Sequence, residues 1–182
     1  MQQIISGIFF SLIFLVSSSA YGQEVAVFGD EDDSTALENN VLVNAQVTLK
    51  NRPFSQVEVK LYHGKTLLRE TTTGEDGFFT LILEFDSLYH IKFRKEGYVT
   101  KLVEVDTREV PGEDQNIGYD LGMFKLDMIP RESGTNYDLY REPLARFMYD
   151  DISMNFVVDR KHKKSVKKRF EQENQKPDVI HF

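Results

Sequence analysis

Residues 71–98 read TTTGEDGFFTLILEFDSLYHIKFRKEGY, and this stretch constrains the chain more than any other. Gly74-Glu75-Asp76-Gly77 turns the backbone, because glycine takes a positive φ at little steric cost. In residues 78–85, Phe79, Leu81, Leu83 and Phe85 share one face, while Phe78 and Ile82 enrich the other. Apolar residues on both faces predict a central strand, or one covered by another segment. Asp86-Ser87 then leads into residues 88–94, where Tyr89, Ile91 and Phe93 alternate with His90, Lys92 and Arg94. Successive side chains of a strand point to opposite faces, so a period of two marks one buried and one wet side. Lys95-Glu96-Gly97 closes the stretch with a second turn.

The flanking segments repeat the pattern. Val41, Val43, Ala45, Val47 and Leu49 alternate with Asn44, Gln46, Thr48 and Lys50. Pro53 ends that strand, having no amide hydrogen to give a ladder. Val57, Val59 and Leu61 mark a second strand, and 66–72 returns as a third after the His63-Gly64 turn. Residues 98–105 place Val99, Val103 and Val105 inward. Lys101 shares their parity, which predicts a position near a sheet edge or an ammonium that snorkels outward. After a polar loop, Phe124, Leu126 and Met128 resume the strand pattern. About seven short strands over 41–128 predict an all-β domain, a seven-stranded antiparallel β-sandwich.

The two ends differ from this middle. Residues 4–16 are almost wholly apolar, and Ala20-Tyr21-Gly22 follows with small residues suited to cleavage. A run of about 13 residues is short for a span of about 20, so 1–22 is expected to be a secretory signal peptide, with no transmembrane span after cleavage. There is no cysteine, hence neither a disulfide nor an acylation site. Residues 23–40 carry Glu24, Asp30, Glu31, Asp32, Asp33 and Glu38, and are expected to be an acidic disordered leader without the spacing of a calcium loop. Residues 129–182 open with a Pro/Gly/Ser linker and an aromatic extension carrying Tyr137, Tyr140, Phe147, Tyr149 and Phe156. So much apolar surface must pack on the sandwich or dock a partner. Packing over Phe78 and Ile82 is the expected arrangement. From Asp159 a helix is expected to run to about residue 175, with Asp159 as N-cap and Val158, His162, Val166 and Phe170 as a narrow apolar stripe.

Several of these motifs together resemble the carboxypeptidase regulatory-like domain, a transthyretin-like (immunoglobulin-like) β-sandwich of exported bacterial proteins. The resemblance rests on 72–79 (TTGEDGFF), on Lys95-Glu96-Gly97-Tyr98, and on the alternating valines after Pro53. It covers roughly 41–128. Gly74 stands where the family usually has an Asp that ties the turn through its side chain. The resemblance implies a fold and an accessory, binding or assembly role and carries over no catalytic residue; with the signal segment, the expected location is the periplasm, the outer surface or the extracellular side of a Gram-negative bacterium.

Direct search for chemistry agrees with that expectation. The four histidines, His63, His90, His162 and His181, form no metal-ligand spacing. No nucleophile motif occurs, Gly74 and Gly77 are followed by a strand and not a phosphate-binding helix, and nothing selects one carboxylate pair among many. No catalytic, cofactor or metal residues are therefore expected. The formal net charge of −7 disfavours nucleic acid as a partner. Against that balance, Arg160, Lys161, Lys163, Lys164, Lys167, Lys168 and Arg169 form one basic run. It reads as a solvated helix face, a partner for the acidic leader, or a polyanion site facing lipid head groups or acidic glycans. The expected function is a non-catalytic interaction or scaffold module of the cell envelope, docking an envelope protein through the aromatic extension. The alternatives are a carbohydrate-binding module using Tyr62, Tyr89, Tyr98 or Tyr119, and polyanion binding through 160–169.

Overall fold

The computed structural model describes residues 39–173 and Ile180; the signal segment, residues 23–38 of the acidic leader and the C-terminal residues around Ile180 lie outside the described residues. The described part is an all-β sandwich with one helix. Its strands are β1 (Val41–Leu49), β2 (Arg52–Pro53), β3 (Glu58–His63), β4 (Thr66–Thr72), β5 (Phe78–Leu83), β6 (Leu88–Arg94), β7 (Lys101–Asp106), β8 (Tyr119–Asp120), β9 (Phe124–Asp127), β10 (Ala145–Asp150) and β11 (Asn155–Val158). A 3-10 turn covers Asp138–Arg141, and helix α1 covers Arg160–Gln172.

The first sheet is built on β1. Antiparallel β5 and β2 lie on one side of it, and β8 and β9 run parallel to it on the other, with Ala45 opposite both Phe79 and Phe124. The second sheet has six strands in the order β11-β10-β7-β6-β3-β4. Between them lies the core, made by the inward positions that the alternation marks: Val41, Val43, Ala45 and Val47 of β1, Val59 and Leu61 of β3, Leu81 and Leu83 of β5, Ile91 and Phe93 of β6. Rings meet edge to face or tilted across the gap, Phe79 with Phe93 at 5.5 Å and Phe124 with Phe147 at 5.2 Å.

The sandwich thus agrees with expectation in class, and differs in count and pairing. Nine strands occupy 41–128 where about seven are expected, two more come from the extension, and both sheets are mixed rather than antiparallel, because β8 and β9 join β1 in parallel and β10 joins β7 in parallel. The strand expected over 98–105 begins at Lys101; Tyr98 makes a single bridge to Pro130. Strand β5 lies at the rim of its sheet, and Phe78 stays 37% exposed. The extension does not cover it. Residues 145–158 instead lengthen the opposite sheet, since Ala145, Phe147 and Tyr149 alternate inward and β7 offers a free ladder edge to receive them. Near the end of β1 the parity also slips. Thr48 is buried and donates to Asp127 Oδ1 at 2.8 Å, while Leu49 is half-exposed, just before Lys50 and Asn51 adopt positive φ.

The opening stretch serves as a clasp. Thr73 is buried; its hydroxyl donates to Phe54 O at 2.8 Å and accepts from Val57 N at 3.1 Å. Gly77 N donates to Gly74 O at 3.0 Å, and Gly77 O accepts from Val47 N at 2.8 Å. The side-chain tie that an Asp at position 74 would supply comes from Asp76, whose Oδ1 accepts from Phe78 N at 3.0 Å. The second motif closes on the same region: Lys95 Nζ donates to Ser55 O at 2.5 Å and lies 4.4 Å from the centre of the Phe54 ring, which packs on Tyr98 at 4.9 Å. Gly77 has φ +76°, and a Cβ there would lie 2.4 Å from Val47 O and 3.0 Å from Phe54 N. Gly97 has φ +78° but open space around it. Gly77→Ala should therefore destabilise by about 2–5 kcal/mol, against about 1–2 kcal/mol for Gly97→Ala, where only the left-handed backbone is penalised. Urea unfolding of the two variants measures this; equal losses would show that the clash with the β1 carbonyl relaxes freely.

Candidate functional site

Helix α1 starts where the sequence places it. The Asp159 carboxylate accepts from Lys161 N at 2.8 Å and His162 N at 3.0 Å, satisfying two of the free amides at the helix start. The apolar stripe then does what its spacing predicts. Val166 and Phe170 are buried, with Phe170 meeting the Tyr140 ring edge-on at 5.3 Å, and His162 Nε2 lies 2.8 Å from Pro143 O. Turning that stripe inward sends Arg160, Lys161, Lys163, Lys164, Lys167 and Lys168 outward, all six exposed. At 3.6 residues per turn Arg160, Lys161, Lys164, Lys167 and Lys168 fall within one arc of about 120° turned away from Val166 and Phe170, whereas Lys163, seven residues before Phe170, lies at the border of the buried stripe. Arg169 does not join them: it is half-buried and ion-pairs with Glu142. Lys167 reaches Glu171 at 3.7 Å. Like charges three and four apart repel by a few tenths of a kcal/mol per pair, and cations in the first turn oppose the helix dipole. An anion laid along this face relieves both.

Beside the helix start is a groove of about 550 Å³, lined by Met148, Asp150, Ile152, Val157, Val158, Asp159, Arg160 and Lys161. Its rim is the β10–β11 hairpin turn, where Ile152 is 90% exposed and Met154 is also exposed. Ser153 hydrogen-bonds to Asp150 through its hydroxyl at 2.7 Å and its amide at 2.9 Å, which holds that carboxyl below its ordinary range. This apolar tip is absent from the sequence expectations. The signal available was Asp150-Asp151-Ile152-Ser153-Met154-Asn155, a run of turn-forming residues between two short strands.

The aromatic extension packs against the chain itself, as expected, but lengthens the second sheet instead of covering Phe78 and Ile82. Phe147, Tyr149 and Phe156 are buried in the chain's own core because β10 and β11 pair within the second sheet and turn these rings inward, and Tyr140 is buried from the 3-10 turn against Phe170; Tyr137 is half-buried. The four therefore present no docking surface. Tyr149, Phe156 and Phe85 surround Tyr119 with ring distances of 5.8, 5.7 and 6.0 Å. Burial, with Tyr119 and the Asp114 carboxylate close by, pushes the Tyr149 phenol well above its ordinary pKa. Among the tyrosines considered as sugar platforms, Tyr89 and Tyr119 are buried, and Tyr62 and Tyr98 half-buried. His90 lies 3.3 Å from Glu104, which also pairs with Arg146, and the His63 ring packs near Tyr89 at 6.1 Å. His181 lies outside the described residues. Among the described residues, no group of three or more His, Asp or Glu could hold a metal ion, and no helix is long and apolar enough to cross a membrane.

No family model and no curated protein matches the chain. Solved structures with a similar arrangement include a 3-chlorocatechol 1,2-dioxygenase from Rhodococcus opacus, at 13% identity and TM-score 0.38, covering 56% of this chain and 63% of that one. A DUF3823 family protein from Parabacteroides merdae is similar at 20% identity and TM-score 0.33, covering 50% of this chain and 46% of that one. A pilus 2b backbone protein of group B streptococcus is similar at 12% identity and TM-score 0.32, covering 49% of this chain and 40% of that one. The chain thus spans less than two thirds of the length of each.

Proposed function

We propose that the protein is a non-catalytic module of the cell envelope, exported and related to the carboxypeptidase regulatory-like domain, that attaches to polyanionic surfaces through the outer face of α1. The observation that carries this reading is the division of the helix. Two buried residues, Val166 and Phe170, anchor it to the sandwich, and five exposed cations, with Lys163 at their border, are turned away from that pair in a chain of net charge −7. The kinship is supported by the motif residues themselves: Thr73, Gly77, Lys95 and Tyr98 are engaged in turns and packing, as in a domain whose motifs are structural. The non-catalytic reading is supported by the histidines, each of those described being engaged with a neighbouring side chain or carbonyl.

Cations near an anionic phosphate surface each contribute about 1 kcal/mol, and the attraction decays within a Debye length. The protein should therefore sediment with vesicles containing phosphatidylglycerol and not with phosphatidylcholine vesicles, and raising salt from 0.05 to 0.5 M should release it. Charge reversal at Lys163, Lys164, Lys167 and Lys168 together should weaken the partition by at least about 100-fold. Equal retention on neutral vesicles, or retention unchanged by the four reversals, would remove this reading.

A further inference from the structure

A second groove, of about 400 Å³, lies on the outer face of the six-stranded sheet, away from the cations of α1 and sharing only Tyr137 and Tyr140 with the residues named as candidate binding groups. Its floor is Lys92 and Leu102, cross-strand partners on β6 and β7 that point outward, with Val99 and Thr100 at the entry to β7. Its other wall is the segment leading into the 3-10 turn: Arg131, Tyr137, Tyr140 and Arg141.

This wall is held in place from several directions. Arg131 N donates to Gly97 O at 2.8 Å, tying the segment to the β6–β7 turn. Glu132 N donates to the Tyr137 hydroxyl at 2.8 Å, fixing that ring, and the Arg131 guanidinium lies 5.5 Å from the ring centre. Tyr140 packs on Phe170 of α1. Three cations thus line one concave surface, and no carboxylate does, although acidic residues outnumber basic ones 29 to 22 in the chain. Arg141 is within 3.0 Å of Asp138, an exposed pair that a ligand carboxylate can replace at little cost.

We propose that this groove binds an acidic saccharide, a short run of pyranose rings bearing carboxylates. The volume falls within the range of small-ligand sites. A carboxylate meets guanidinium in a bidentate fork, and Arg131 and Arg141 supply two such forks with Lys92 as a third charge. Leu102 and the Tyr137 ring, both half-buried, offer apolar surface for the C–H face of a sugar ring. A peptide strand fits poorly, because β6 is laddered to β3 and β7, and β7 to β6 and β10, so the floor has no free backbone edge for strand addition.

Titrating the full-length, isotope-labelled protein with digalacturonate tests the assignment, with maltose and inorganic phosphate as controls. Digalacturonate should shift the amides of Lys92, Thr100, Arg131 and Tyr137. Arg131→Gln and Arg141→Gln, both at exposed positions that leave the core intact, should each weaken binding about tenfold. The fourfold Lys→Glu variant of α1 should bind it within about twofold of the parent, which separates this site from the helix. Binding of maltose or phosphate as tight as digalacturonate, shifts confined to 160–169, or no shift at all would each overturn the proposal.

Discussion

Phe147→Ala should cost about 3–5 kcal/mol of unfolding free energy, although the residue lies well beyond the segment that resembles a known domain. Phe147 is 2% exposed, faces Val105 of β7 on one side and Val158 of β11 on the other, and its ring packs on Phe124 of the opposing sheet. Truncation leaves a cavity between the sheets that the surrounding strands cannot close without breaking two ladders, and the penalty rises with the volume left behind. Ile152→Ala in the same hairpin is the matched control. At 90% exposure it should change stability by no more than about 0.5 kcal/mol. Guanidinium unfolding at matched m-values reads both. A loss below about 1 kcal/mol for Phe147→Ala would mean that β10 adheres to a sandwich already complete at residue 128. By the same reasoning, ending the chain after Pro130 strips β10 from β7, exposes the inner row Val103 and Val105 at a bare edge, and should yield an aggregating product instead of a folded one.

Strands in this chain were legible where alternation is strong and a turn residue stands at each end, as in β1, β3, β5 and β6. What local pattern cannot show is a partner far along the chain. The parallel pairs β1–β9 and β7–β10 join segments separated by whole strands, and no turn chemistry announces them. The period of two in Ala145-Arg146-Phe147-Met148-Tyr149-Asp150 is present, and packing on the sandwich is its expected outcome, but nothing local says that the segment joins β7 and not the outer face of β5. The start of α1 and its buried stripe were legible, because both signals are local, whereas the helix ends at Gln172, short of the expected 175, and Arg169 turns to Glu142 instead of joining the basic face. The same contrast separates the two candidate sites. The cations of α1 are a run in the sequence. Lys92, Arg131 and Arg141 come from three segments, and backbone contacts distant in sequence, among them Arg131 N to Gly97 O and the Tyr98–Pro130 bridge, together with the 3-10 turn, bring them to one groove.

Lys101 is where the alternation was right and its reading incomplete. Parity places it inward, and an inward lysine suggests an edge strand. With β10 paired to β7, the strand is internal, and Lys101 is 1% exposed, its ammonium donating to Asp127 O of β9 with the Tyr140 ring 5.9 Å away. One side chain therefore links the two sheets and satisfies a carbonyl that no β-ladder would reach. Lys101→Ala should cost about 3–5 kcal/mol, combining a cavity of several methylenes with a buried acceptor left short of its donor. Lys101→Met separates those terms. It fills most of the volume and removes a charge whose desolvation is expensive, so the lost hydrogen bond is largely offset. Its expected loss is about 1.5 kcal/mol or less, at least about 2 kcal/mol milder than alanine. Equilibrium unfolding of both variants decides the point. If methionine destabilises as much as alanine, the bond to Asp127 O dominates at this position, and the ammonium is a strut between the sheets that hydrophobic packing cannot replace.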